Sequence, residues 1–220
     1  GVKMMWLNYP HMPTGTNATK EHFTKAVAFA KKHDIMLVND NPYSFILNDN
    51  PLSLLETEGA RDVAIELNSL SKTFNMAGWR VGMVVGKGEI IKSILQVKSN
   101  MDSGMFLGIQ KGAVEALNSS KDWFKELNKT YTKRRKIVWE IFDILGCYYK
   151  KESAGLFVWA KLPKGRSAME FTDQLLKEKD VFMTPGSIFG KNGKDYIRAS
   201  ICVSEADLNT VLQRLTGLKQ

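Results

Sequence analysis

Three apolar runs of strand length constrain what this chain can fold into: Met4-Met-Trp-Leu7, Ile35-Met-Leu-Val38 and Val63-Ala-Ile-Glu-Leu67. Such short runs, bounded by polar segments, read as buried strands. Between the first two, Thr19 is placed to cap a helix from Lys20 to about His33, with Phe23, Val27 and Ala30 on one face. A further strand is expected from Arg80 to Val85. Strands separated by helical segments indicate an α/β fold with parallel pairing.

The second half changes character. Helical patterns cover Glu89–Lys98, Leu107–Leu117 and Asp122–Leu145. After Gly146 the order becomes strand (Leu156–Lys161), helix (Ala168–Lys179), strand (Val181–Thr184), strand (Tyr196–Ile201) and helix (Glu205–Leu215). Ser204 and Asp207 have the spacing of a capping box ahead of the last helix. The expected organisation is a large-domain portion over residues 1–118, a long connecting helix over 119–146, and a small α+β domain over 147–220.

With 220 residues, 44% hydrophobic and 25% charged, the chain suits an ordinary globular protein. No apolar run reaches the length of a membrane span, and no secretory signal pattern opens the chain. Two distant cysteines, Cys147 and Cys202, argue against a disulfide scaffold or a zinc site and fit a reducing cytoplasm. The net charge of +8 raises the question of nucleic acid. The lysines are spread out, however, and the one dense run, Lys133-Arg-Arg-Lys136, reads as a solvated helix face. Anionic small molecules give an adequate reason for the basic balance. Neither nucleic acid nor membrane is expected as a partner.

Chemistry concentrates in Asn68-Ser-Leu-Ser-Lys-Thr-Phe-Asn-Met-Ala-Gly-Trp-Arg-Val-Gly82. The Lys72 amine can form a Schiff base, while Ser69, Ser71 and Arg80 can hold a phosphate through charge-assisted hydrogen bonds. Pyridoxal 5'-phosphate carries one aldehyde and one phosphate and matches this set. Asp40 falls just past the carboxyl end of a strand, where α/β sheets place ligands, and could keep a pyridine nitrogen protonated. Read alone, it serves equally as a loop or cap aspartate. Tyr43 could hydrogen-bond a ring oxygen, or simply pack in its loop. Arg198 lies amid apolar residues on a strand, a costly position unless its charge is paired. A substrate carboxylate or an internal acidic residue would each satisfy it.

Tyr9-Pro-His-Met-Pro-Thr-Gly15, Asp40-Asn-Pro-Tyr43, Ser69-Leu-Ser-Lys72, Gly78-Trp-Arg-Val-Gly82 and Tyr196-Ile-Arg198 occur in that order. Together they resemble the successive signatures of the class I/II aminotransferases, pyridoxal-phosphate enzymes of fold type I. Ala154-Gly-Leu-Phe-Val-Trp159 and Thr184-Pro-Gly-Ser-Ile-Phe-Gly190 resemble small-domain segments of the same family. The resemblance implies a mostly parallel, incomplete large-domain sheet with helices, followed by the small α+β domain. It implies that Lys72 carries the Schiff base, Asp40 meets the pyridinium nitrogen, and Tyr43 faces the ring oxygen. Ser69, Ser71 and Arg80 would hold the phosphate, and Arg198 would take the substrate α-carboxylate. The implied reaction is amino transfer from an amino acid to a 2-oxo acid, in a cytoplasmic homodimer. A lyase or decarboxylase of the same fold, or a non-catalytic module that retains it, are the alternatives. One departure is Met12, where the family loop carries asparagine. The family pattern also implies a longer chain, so a fragment with poor cofactor binding on its own is expected.

Overall fold

A computed structural model describes residues 1–217. In chain order the elements are β1 (Met4–Asn8), α1 (Lys20–His33), β2 (Met36–Asp40), α2 (Ala60–Val63), β3 (Ala64–Ser69), α3 (Leu70–Thr73), β4 (Gly82–Gly86), α4 (Gly88–Lys98), α5 (Leu107–Leu117), α6 (Lys121–Ile144), β5 (Tyr148–Tyr149), β6 (Phe157–Lys161), α7 (Ala168–Lys179), β7 (Thr184–Pro185), β8 (Tyr196–Ser200) and α8 (Glu205–Thr216). Short 3₁₀ turns at Leu54–Glu56, Ala77–Trp79, Gly186–Phe189 and Lys191–Gly193 complete it. The chain divides into two compact units, one formed by Gly1–Pro10 and Asn17–Phe124, the other by His11–Thr16 and Lys125–Gln220.

The first unit is built on a four-stranded sheet in the order β1-β2-β3-β4. β1, β2 and β3 run parallel, with Trp6 opposite Val38 and Val38 opposite Ile65. The fourth strand is the exception in this mostly parallel sheet: β4 is antiparallel to β3, with Ser69 opposite Gly82. An apolar run has the same composition in either direction, so only the connection decides, and a nearby β-strand reached through the tight Ala77–Trp79 turn must come back antiparallel. The core of this unit joins Phe23, Val27 and Ala30 of α1 to Leu37, Leu54, Leu55 and Ala64. The cap on α1 is a full reciprocal box: the Thr19 hydroxyl accepts from the His22 N–H at 3.1 Å, and the Thr19 N–H donates to His22 Nδ1 at 3.2 Å.

The second unit carries an antiparallel sheet in the order β5-β6-β8-β7. Alternation is clear: Val158, Ala160, Ile197 and Ala199 are buried, while Phe157, Trp159 and Arg198 face the other side. α6 buries Tyr131, Val138, Ile141 and Phe142. The basic run on α6 is not simply a solvated face. Lys133 and Lys136 are exposed, but Arg135 donates to the Ser153 carbonyl at 2.7 Å and Arg134 to the Cys202 carbonyl at 3.3 Å.

Two local expectations are corrected. Of the expected Val181–Thr184 strand only Thr184 pairs, together with Pro185 beyond it. Asp180 turns left-handed (φ 51°) at the end of α7, and the Val181 N–H bonds back to the Leu175 carbonyl, so Val181 and Met183 anchor the helix end in the core. At α8 the Ser204 hydroxyl accepts from the Asp207 N–H, but the Asp207 carboxylate accepts a hydrogen bond from the Ser204 hydroxyl at 2.7 Å rather than reaching the Ser204 backbone. Aspartate is one methylene shorter than the glutamate of the usual box.

Candidate functional site

The carboxyl ends of β2 and β3 lie side by side, and they gather six of the seven residues that the sequence singles out. Asp40, the last residue of β2, pairs in register with Leu67, and the Asn41 N–H donates to the Leu67 carbonyl at 2.9 Å. The segment Asp40–Tyr43 therefore runs alongside Ser69–Thr73, and the Thr73 hydroxyl donates to the Pro42 carbonyl at 3.4 Å. Ser69 ends β3 and begins α3, where its hydroxyl oxygen accepts the Ser71 N–H at 3.1 Å. That bond leaves the Ser69 O–H proton available to a ligand. Lys72, Ser71 and Tyr43 are half-buried.

Arg80 follows the Ala77–Trp79 turn in a left-handed conformation (φ 54°), unusual for a residue with a side chain. The sequence reading places it in a strand; the structure places it just before one. Gly82 then lets the returning strand approach closely, since a Cβ there would lie 2.7 Å from the Asn68 carbonyl oxygen. The Leu70 N–H to Val81 carbonyl bond, at 3.2 Å, locks the two arms of the motif together. The Arg80 guanidinium is exposed and donates to the Ala77 carbonyl at 2.8 Å.

The electrostatics of this end are unbalanced. Asp40 is open to solvent on its outer side, yet partial burial of the carboxyl raises its pKa. Among the described residues no ion pair to Asp40 or Lys72 is formed. A partly desolvated carboxylate without a cationic partner, at the sheet end that also carries an amine, two hydroxyls and a guanidinium, fits a group that brings a protonated ring nitrogen and a phosphate.

Arg198 belongs to the second unit, opposite Trp159 in the β6–β8 register. Its guanidinium carbon lies 4.0 Å from the centre of the Phe157 ring and 4.7 Å from that of Phe189. One terminal nitrogen approaches the Met12 sulfur at 3.2 Å. On the same sheet face, Trp159 and Tyr196 stack at 5.2 Å and border a cleft of about 400 Å³ that Thr14, Thr16 and Lys161 also line.

A family model described as aminotransferase class I and II matches residues 1–215. The chain belongs to the class I/II aminotransferases. It is 41% identical to the LL-diaminopimelate aminotransferase of Maridesulfovibrio salexigens over 98% of this chain and 56% of that protein. With the Halothermothrix orenii enzyme of the same name it shares 40% identity over 97% and 56%. Among solved structures, apo-BacF from Bacillus subtilis superposes with a TM-score of 0.91 at 38% identity, covering 100% of this chain and 56% of that one. An aminotransferase from Staphylococcus aureus gives 0.89 at 35% identity over 98% and 58%. The chain thus spans a little over half the length of the relatives it matches, and over that span it has their α/β fold. Aminotransferases of this class use pyridoxal phosphate in general.

Within this aminotransferase frame, the sequence reading passed over the residues that hold the strand end. Glu66 is buried, and its carboxylate accepts from Asn39 Nδ2 at 3.1 Å, Asn41 Nδ2 at 3.0 Å and the Leu54 N–H at 2.8 Å. Asn39 in turn accepts the Tyr9 N–H at 3.2 Å, and the Ser44 hydroxyl donates to Asn41. Asp40 is therefore clamped between two asparagines that share one buried carboxylate. A glutamate inside an apolar strand was the available signal, since a buried charge demands partners. Trp123 Nε1 donates to the Thr73 carbonyl at 2.9 Å and closes the end of α3.

Proposed function

We propose that the protein containing this chain is a pyridoxal-phosphate-dependent aminotransferase that moves an amino group from an amino acid to a 2-oxo acid. The observation that carries the reading is the convergence of Asp40 and Ser69–Lys72 at one sheet end, joined by the Asn41–Leu67 and Thr73–Pro42 hydrogen bonds. When bound, the cofactor supplies an electrophilic carbon and an electron-withdrawing ring that stabilises negative charge at the substrate Cα.

The side chains have separate tasks. Lys72 would hold the cofactor covalently, and its amine, once released, would move the proton at the substrate Cα. Asp40 would accept a hydrogen bond from the ring nitrogen and favour its protonated form. Tyr43 donates to the ring oxygen. Ser69, Ser71 and Arg80 hold the phosphate through hydroxyl and guanidinium N–H donors. Arg198 receives the α-carboxylate, with a planar fork suited to two parallel bonds. The relatives named for LL-diaminopimelate make that diamino dicarboxylate the first donor to assay, and a homodimer is the expected assembly.

The test is replacement of Lys72 by alanine in the full-length protein, with 2-oxoglutarate as acceptor. Wild type should form glutamate and show a cofactor absorbance band that K72A lacks. Glutamate formation by K72A at the wild-type rate would overturn the assignment. Release of ammonia or carbon dioxide in place of glutamate would overturn amino transfer.

A further inference from the structure

We infer that Glu66 is the positioning residue for Asp40: its buried carboxylate fastens the side chains on either side of Asp40, one on each oxygen, and so turns the Asp40 carboxylate toward the site. The inference rests on the reading of Asp40 as the partner of the cofactor's ring nitrogen and adds what aims it.

The geometry follows from the period of a strand. Successive side chains leave opposite faces, so Asn39 and Asn41 share a face and Asp40 leaves from the other. Burial shows this alternation: Asn39 and Asn41 are buried, and Asp40 is exposed. Asn41 continues the extended path past the end of β2. Its N–H still bonds to the Leu67 carbonyl, and Pro42 disfavours a helical backbone in the residue before it. Glu66 stands opposite Asn39 in the β2–β3 register, on the same buried face. Its Oε2 accepts from Asn39 Nδ2 at 3.1 Å and its Oε1 from Asn41 Nδ2 at 3.0 Å. With both neighbours fastened to one group on one face, Asp40 is held facing the other.

The outer ends of this bracket are tied as well. Asn39 Oδ1 accepts the Tyr9 N–H at 3.2 Å, and Asn41 Oδ1 accepts the Ser44 hydroxyl. The Asp40 carbonyl itself accepts from Asn8 Nδ2 at 2.7 Å. A strand end held by its ladder alone opens at low cost; the bracket carries rigidity one residue beyond Asp40.

Stability alone does not account for such a network. A buried carboxylate with two buried amides suffers a desolvation cost that apolar side chains of similar volume avoid, and that exchange is often neutral or stabilising. Apolar side chains at positions 39, 41 and 66 would fill the space without fixing a direction. Direction is what Asp40 needs, because a hydrogen bond weakens steeply once its angle falls toward about 120°.

The experiment uses the full-length protein and pyridoxal phosphate isotope-labelled at the ring nitrogen, whose magnetic-resonance shift reports protonation of that atom. An absorbance titration gives the cofactor affinity. E66D keeps the charge but is one methylene shorter and cannot reach both asparagines. E66Q keeps the reach without the charge, and the Asn41 amide can rotate to meet it because the Ser44 hydroxyl either donates or accepts. N41A cuts one arm and leaves Glu66 bonded to Asn39 and Leu54. In E66D and N41A the nitrogen signal should move toward that of an unprotonated pyridine. Cofactor binding should weaken about three- to tenfold, the range of one hydrogen bond. E66Q should keep the wild-type signal and stay within about twofold in affinity. N41A decides the matter if E66D does not fold: a wild-type signal and affinity in N41A overturns the inference. So does a change in E66Q as large as that in E66D, which would indicate the charge or general damage to the strand end. D40A is the separate control. It should lose the protonated-nitrogen signal, and an unchanged signal there would overturn the reading of Asp40 along with the inference.

Discussion

Replacing Glu66 by leucine should destabilise the first unit severely, because three donors aim at its carboxylate. Asn39 Nδ2, Asn41 Nδ2 and the Leu54 N–H all end within 3.1 Å of it, and Glu66 and both asparagines are buried. Each buried donor left without an acceptor costs about 1–3 kcal/mol. Removing the carboxylate also removes its own desolvation penalty, which offsets part of that loss, so the net is about 3–5 kcal/mol. Such a loss is a large share of the roughly 5–15 kcal/mol that holds a domain folded. Glu66→Gln should cost much less, about 1–2 kcal/mol. Its carbonyl can still accept from Asn39 and Leu54, while Asn41 can rotate its amide because the Ser44 hydroxyl either donates or accepts. Urea titration followed by far-ultraviolet circular dichroism gives both values. The reasoning fails if E66L loses less than about 2 kcal/mol or if E66L and E66Q are equally stable.

Asp40→Asn should leave the unliganded protein as stable or more stable near pH 7. Burial raises the Asp40 pKa, so the folded state binds the proton more tightly than the unfolded state and loses stability as pH rises through the raised value. Melting temperatures across pH 4–8 should show a shallower decline for D40N than for wild type, while its affinity for pyridoxal phosphate falls. Burial pushes the Cys147 thiol up to about 11, and Cys202 is exposed. A thiol reagent at pH 8 should therefore modify Cys202 in the folded protein and reach Cys147 only after denaturation, as mass spectrometry of the labelled peptides would reveal. Thr19→Ala removes the acceptor of the α1 box and should cost about 1 kcal/mol in the same urea assay.

How much could be read beforehand depended on whether the signal was local. Apolar period and capping residues lie within one segment, so α1, α5 and α7 were legible to within a residue or so, and so were the strands β2, β3, β6 and β8. The lysine motif was legible because hydroxyl, amine and guanidinium sit within a dozen positions. Glu66 was not, since its partners come from β2, the loop after it and the Leu54 turn, and no spacing announces them. The direction of β4 was hidden for a different reason: Met83-Val-Val85 is equally apolar read either way. Arg80 reads as part of a strand because nothing in its neighbours reveals a left-handed backbone. The grip of Met12 on Arg198 joins residues 186 positions apart, beyond the reach of any periodicity.

The assignment of His11–Thr16 to the second unit, with its flanking segments in the first, has a practical meaning for anyone dividing this molecule. A cut at Phe124 does not yield the second unit whole. Expression of residues 125–220 would leave the Ala154 amide without the Gly15 carbonyl and the Arg198 edge without its sulfur. A faithful excision must stitch the six-residue loop back on, by circular permutation or as a peptide added in trans.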